Sequence, residues 1–272
     1  MTTAVTVRRA YADIDGRQLH YRWAGDAVQP ALVLLHQSPS SSAMYEPLMA
    51  SLADRFYLLA PDTPGFGNSD GLADDPGQLS IDDYAAAIHA LLLELAVVPC
   101  YLFGHHTGAS IAVAIEHGFP GTARAMALSG PTLLDDVLKR ELPERASTIG
   151  LAEDGGHLLA MWQRLQQKDP AAPLPLLQRE LQSAFSSGAS YQASYRAVTQ
   201  QDFAGQLATI TCPALVFAGE HDPLREAVAP TVARLPRGVA AQLNGGERTY
   251  VCERQVNTVA TRLAEFFDDC ER

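Results

Sequence analysis

Four cysteines in 272 residues, Cys100, Cys212, Cys252 and Cys270, are too few and too widely spaced for a disulfide scaffold. No CxxC pair is present, so a zinc module is excluded and a reducing, cytoplasmic setting is expected. Positive charge is also in deficit. Lys+Arg 20 against Asp+Glu 31 leaves a net charge of −11. A nucleic-acid binder needs the opposite balance, so no nucleic-acid partner is expected. No apolar run approaches the ~18 residues of a membrane helix. The longest run near the start, Ala31–Leu35, is too short and too far along for a signal peptide, and no membrane partner is expected. Gly 20 and Pro 17 without a period exclude collagen-like and low-complexity chains. There is no P-loop, no HExxH and no Cys/His spacing, so neither a metal nor any other cofactor is expected. Gly65-Phe66-Gly67-Asn68-Ser69-Asp70 starts like a dinucleotide fingerprint but lacks its third glycine.

What is present is an alternation. Ala31–Leu35, Phe56–Ala60, Tyr101–Phe103, Ala125–Leu128, Ala214–Ala218 and Val239–Leu243 are short apolar runs bounded by glycine, proline or polar residues, as in strands buried on both faces. Helical patterns lie between them. Ser80 with Asp83 forms a capping-box pattern, followed by Ile81, Tyr84, Ala85, Ile88, Leu92 and Leu95 at helical spacing. Ala109–Glu116 is a second helix and Glu253–Phe267 the last. Val5–Gly25, with Asp15-Gly16 as its turn, reads as an antiparallel hairpin at one sheet edge. Residues 131–205 hold no convincing strand and carry helical patches such as Leu158–Leu165. The expected fold class is α/β: a mostly parallel, doubly wound sheet of about eight strands, with a helical lid inserted after the sixth. The expected division is core 1–130, lid 131–205 and core 206–272.

The chemistry is concentrated at Gly104-His105-His106-Thr107-Gly108, a strand, a glycine-flanked turn and a helix. This is the frame of the G-x-S-x-G nucleophile elbow, with His106 in the serine position. Here the chain resembles the α/β-hydrolase superfamily over nearly its whole length. Asp62-Thr63-Pro64-Gly65-Phe66-Gly67-Asn68-Ser69 is similar to the family's D-x-P-G-F-G-x-S turn. His36-Gln37-Ser38-Pro39 follows the third strand where the family carries its first oxyanion segment. Gly219-Glu220-His221-Asp222 is similar to the acid segment and places Asp222 in the acid slot. Asn244-Gly245-Gly246-Glu247 is similar to the loop that carries the general-base histidine. No histidine follows His221, and Glu247 stands in that slot, or Arg248 if the loop is shifted by one.

A serine-hydrolase mechanism therefore does not transfer. The resemblance implies an enzyme that hydrolyses or cleaves, lyase-fashion, a small carbonyl or ester compound without a cofactor. His106 would be the general base or the nucleophile, with Asp222 and Glu247 behind it. The amides of Gln37 and Thr107 would form the oxyanion hole. His36, His105, His157 and Trp162 are the candidate substrate-binding residues. Each has a bland reading: His36 supports the oxyanion loop, His105 packs beneath the elbow, and His157 and Trp162 pack within the insertion. Two alternatives remain open: a non-hydrolytic dehydratase, cyclase or decarboxylase, and a catalytically inactive ligand-binding protein. Homodimerisation through an edge strand or the insertion is also left open.

Overall fold

The computed structural model describes residues 5–271. Their strands form one eight-stranded sheet in the order β1-β2-β4-β3-β5-β6-β7-β8. In chain order these are β1 (Arg8–Ile14), β2 (Arg17–Ala24), β3 (Ala31–Leu35), β4 (Tyr57–Pro61), β5 (Cys100–His105), β6 (Ala123–Ser129), β7 (Ala214–Phe217) and β8 (Gly238–Ala240). The first hairpin pairs antiparallel and β2 joins β4 antiparallel, while every pairing from β4 to β8 is parallel. β5 sits centrally and is buried along its whole length. That burial is why a continuous apolar run, rather than an alternating one, encodes it.

Alternate residues serve opposite faces of the sheet. Val33, Leu35, Leu102, Met126, Leu128 and Val216 face one core, closed by α2 (Ile81–Glu94) and α3 (Thr107–Gly118). Leu32, Leu34, Phe103, Ala125, Ala127 and Phe217 face the other. Two helices close it: α1 (Glu46–Leu52) and a long C-terminal helix covering 256–271. The capping box of α2 forms as its sequence predicts: the Ser80 hydroxyl accepts from the Asp83 amide at 3.2 Å, and Asp83 accepts from the Ser80 amide at 2.8 Å.

Five helices lie between β6 and β7, and the first four are α4 (Asp136–Arg145), α5 (Gly156–Lys168), α6 (Leu174–Ser186) and α7 (Ala189–Gln200). α5 and α6 share a small core around Met161, Leu165, Leu177 and Ala184, joined by Tyr191 of α7, while Leu138 and Leu142 of α4 pack against the core on the α2–α3 face of the sheet. The elements that follow are α8 (Phe203–Leu207), α9 (Val228–Val232), α10 (Val251–Arg254) and α11 (Val256–Glu271).

Two sequence expectations need correction. The last strand is short, half-exposed and ends at Ala240, because an edge strand has one sheet neighbour and little cover. The last helix breaks at Gln255, whose side-chain amide donates to the Asn244 carbonyl at 2.8 Å, and then continues to Glu271.

Candidate active site

Steric demands fix the turn between β5 and α3. His106 has φ 50° and ψ −112°, a left-handed conformation that costs a non-glycine residue energy and is over-determined here by its surroundings. A Cβ on Gly104 would lie 2.3 Å from the Gly108 carbonyl oxygen, and a Cβ on Gly108 would lie 2.0 Å from that of Leu35. Both glycines are needed for the backbone to close so tightly, and closure pushes the His106 side chain out above the sheet.

The imidazole spans the gap from the elbow to the loop after β7. Its Nε2 lies 2.7 Å from Asp222 Oδ2. Asp222 is buried, and burial alone raises its pKa. The His106 charge and hydrogen bond outweigh that, together with the Leu224 amide, and hold the carboxyl below its usual range. An ionised carboxylate can only accept, so Nε2 carries a proton, and in the neutral tautomer Nδ1 is the acceptor. Gly130 leaves the room: a Cβ there would stand 2.3 Å from His106 Cδ2 and 2.5 Å from Nε2.

The remaining predicted residues fall into two groups. Thr107, at the first position of α3, lines the same cavity as His106, and its amide has no intrahelical acceptor. The oxyanion-loop residues His36 and Gln37 are fully buried, and Ser38 is the residue of that loop that reaches the cavity. His36 accepts from the Thr63 amide at 2.9 Å and donates to the Gln37 carbonyl at 2.8 Å, so it braces the loop, and it does not line the cavity. Burial lowers its pKa, against the pull of Asp62.

His105 is likewise corrected to a supporting place. Its Nε2 donates to the Thr249 carbonyl at 2.7 Å, and its Nδ1 accepts from the Ser129 hydroxyl at 3.0 Å. Burial, then the neighbouring His106, push its pKa down to about 3, so a neutral ring lies beneath His106 with centroids 4.3 Å apart. His157 accepts from the Ala152 amide at 3.1 Å and stacks edge-on against Phe185. Trp162 packs into the core of the insertion. Neither lines the cavity.

Glu247 is the main correction. It turns away from the cavity into an ion pair with Arg254 at 2.9 Å, and no hydrogen bond or ion pair joins it to His106. The next residue, Arg248, lines the cavity in its stead. Gly245 and Gly246, both at positive φ, let the loop adopt that path.

The cavity has a volume of about 750 Å³. Its floor is His106, Thr107 and Ser38, and its roof comes from α4, α5 and α7, with Leu138, Leu142 and Leu165 among the apolar contacts. Sequence reasoning missed Lys168, which lines it from the end of α5. Its Nζ donates to Gln37 Oε1 at 3.1 Å. Burial lowers its pKa to about 8, against the raising effect of Glu180, Asp222 and Asp169. The available signal was scarcity, since Lys139 and Lys168 are the only lysines in the chain. Among the described residues no group of three or more His, Cys, Asp or Glu is placed to hold a metal ion.

A family model described as the alpha/beta hydrolase fold matches residues 30–230. The chain belongs to the alpha/beta hydrolase fold family. It is 30% identical over 219 residues to (E)-2-((N-methylformamido)methylene)succinate hydrolase of Acinetobacter baylyi, covering 77% of this chain and 78% of that one. It is 27% identical over 269 residues to 2-(acetamidomethylene)succinate hydrolase of Mesorhizobium japonicum, covering 94% of each. The crystal structure of an E-2-(acetamidomethylene)succinate hydrolase superposes with a TM-score of 0.78 at 25% identity, covering 97% of this chain and 100% of that one. The described residues contain no helix long and apolar enough to cross a membrane.

Proposed function

We propose that this alpha/beta hydrolase family member is a cofactor-free hydrolase of a small carbonyl or ester compound, with His106 as general base. The observation behind this reading is the 2.7 Å contact from His106 Nε2 to Asp222 Oδ2 in the wall of the cavity. It supports a neutral imidazole whose free Nδ1 takes a proton while Asp222 steadies the charge that results. In the proposed cycle Nδ1 accepts a proton from water as the water oxygen attacks the carbonyl carbon. The oxyanion is received by the Thr107 amide and by the amide of Gln37 in the facing loop. Collapse breaks the bond to the leaving group, and the Nδ1 proton passes to that group. The insertion over 131–205 acts as the lid that excludes bulk water. Hydrolysis is favoured over lyase or cyclase chemistry because relatives matched over most of their length are named hydrolases. Free cysteines at 100, 212, 252 and 270 suit a reducing, cytoplasmic setting.

The test is turnover of a panel of activated aryl esters by the wild type and His106→Ala. Saturable turnover that disappears in the variant supports the reading. Saturable turnover retained in the variant overturns the role of His106. Ligand binding without turnover in either protein turns the reading to a binding protein.

A further inference from the structure

The wall of the cavity is opposite in sign to the molecule. The chain has a net charge of −11, yet Arg145, Arg164, Lys168 and Arg248 line the cavity against Glu144 alone. Two of these cations are committed. Arg145 pairs with Glu141, and Arg164 donates to the Ser147 carbonyl at 2.7 Å. The other two have no acidic partner within ion-pair distance among the described residues. Lys168 touches neutral groups: the Gln37 amide oxygen at 3.1 Å and the face of Tyr250 at 5.6 Å. Arg248 Nε is buried with no hydrogen-bond partner.

The nearby acids are already paired, Asp222 with His106 and four others with two arginines. Arg179 holds Glu180 at 2.7 Å and also Glu253, while Arg254 holds Glu247 at 2.9 Å and reaches Asp169 at 3.7 Å. A buried guanidinium N–H with no acceptor is unusual in a folded protein, and a water, an ion or a ligand would satisfy it. Arg248 follows directly on Glu247 in the loop that resembles the family's base loop, and it lines the same cavity as His106. A molecule at the imidazole is therefore also in the field of Arg248.

We propose that Arg248, together with Lys168, binds a carboxylate on the substrate, so that the site selects carbonyl compounds that are themselves anions. This rests on the reading of the cavity as the substrate site, though not on which reaction occurs there. The planar guanidinium matches a carboxylate through two parallel N–H groups. Leu134, Leu138 and Leu142, which also line the cavity, take the uncharged part of the molecule. The positive wall also steers an anion into an otherwise repelling protein.

Calorimetric titration with succinate, succinamide and inorganic phosphate tests binding without turnover. Wild type should bind succinate in preference to the neutral diamide and to phosphate. Arg248→Gln should weaken succinate at least tenfold, and Arg248→Lys should restore part of that loss because charge returns without the fork. Lys168→Met should weaken it by a smaller factor. Melting curves identify any variant that fails to fold, and the lysine variant then decides. With p-nitrophenyl hemisuccinate and p-nitrophenyl butyrate, Arg248→Gln should cost the anionic ester at least ten times more kcat/KM, mainly through KM. Succinate binding without turnover of either ester would sink the hydrolase reading and keep this one. Ester turnover with no succinate binding, equal binding of phosphate, or an unchanged preference in Arg248→Gln would sink this one alone.

Discussion

At the scale of single residues, one imidazole does the bridging for which a serine and a histidine are usual. The elbow backbone aims His106 out of the sheet, and the loop after β7 brings Asp222 to its Nε2. Replacing Asp222 by Asn removes the anion that selects the Nε2–H tautomer. The expected loss in kcat is roughly 10²–10⁴-fold, the span of a general base, with little change in melting temperature. An unchanged kcat would show that the pair is structural. Gly130→Ala probes the same geometry without replacing either partner. Its Cβ would sit 2.3 Å from the ring at a φ of +60°, so the imidazole must tilt away from Asp222. We expect kcat to fall at least tenfold while the strain costs about 1–3 kcal/mol. This part of the site was legible from Gly104-His105-His106-Thr107-Gly108 because backbone closure dictates it. Glu247 was not, because two glycines in the preceding loop leave its register free. Lys168 was invisible for another reason: helical periodicity gives a buried face but not the element that face meets.

At the scale of elements, the central strands were readable to within a residue or two because parallel strands buried on both faces carry unbroken apolar runs. The capped helix after Ser80 was readable from its own turn chemistry. The docking of the insertion on the core was not, because it depends on charges distant in sequence. Arg179 on α6 reaches Glu253 on α10 while also holding Glu180, which accepts from Ser40 at 3.0 Å in the loop after β3. Glu180 is fully buried, and Arg179 is about a quarter exposed. Arg179→Met leaves two largely buried carboxylates with no cation. The expected cost is about 3–5 kcal/mol in urea unfolding, since removing one partner of a buried pair exposes the desolvation penalty of the other. A loss under about 1 kcal/mol would mean that the network is solvent-screened and does not anchor the insertion.

For the whole molecule, acidification sets two effects in opposition. Approaching the pI near 5.1 relieves the self-repulsion of an acidic chain, which favours the fold. The buried histidines work the other way. His105 is held at about 3 against an ordinary 6.5, and His36 is also lowered. Above 6.5 both states leave His105 neutral, so the fold keeps its full stability. Between 6.5 and about 3 the unfolded chain binds a proton that the folded chain refuses, and stability falls as pH drops. Each such site gives a slope of about 1.4 kcal/mol per pH unit. Asp62, held at about 2 against an ordinary 3.8, adds a second loss below 3.8 as pH falls through its folded value. The local term should win over the diffuse one, because salt at about 0.15 M screens surface charges beyond roughly 8 Å but does not reach a buried ring. Urea unfolding in that salt should therefore show stability falling steadily below pH 6.5, well above the range where carboxylates titrate. His105→Asn should flatten the slope by about one proton. A wild-type profile that stays level from neutrality down to the carboxylate range would mean that His105 takes up its proton in the folded protein. The neutral support beneath His106 would then be lost in mildly acidic solution.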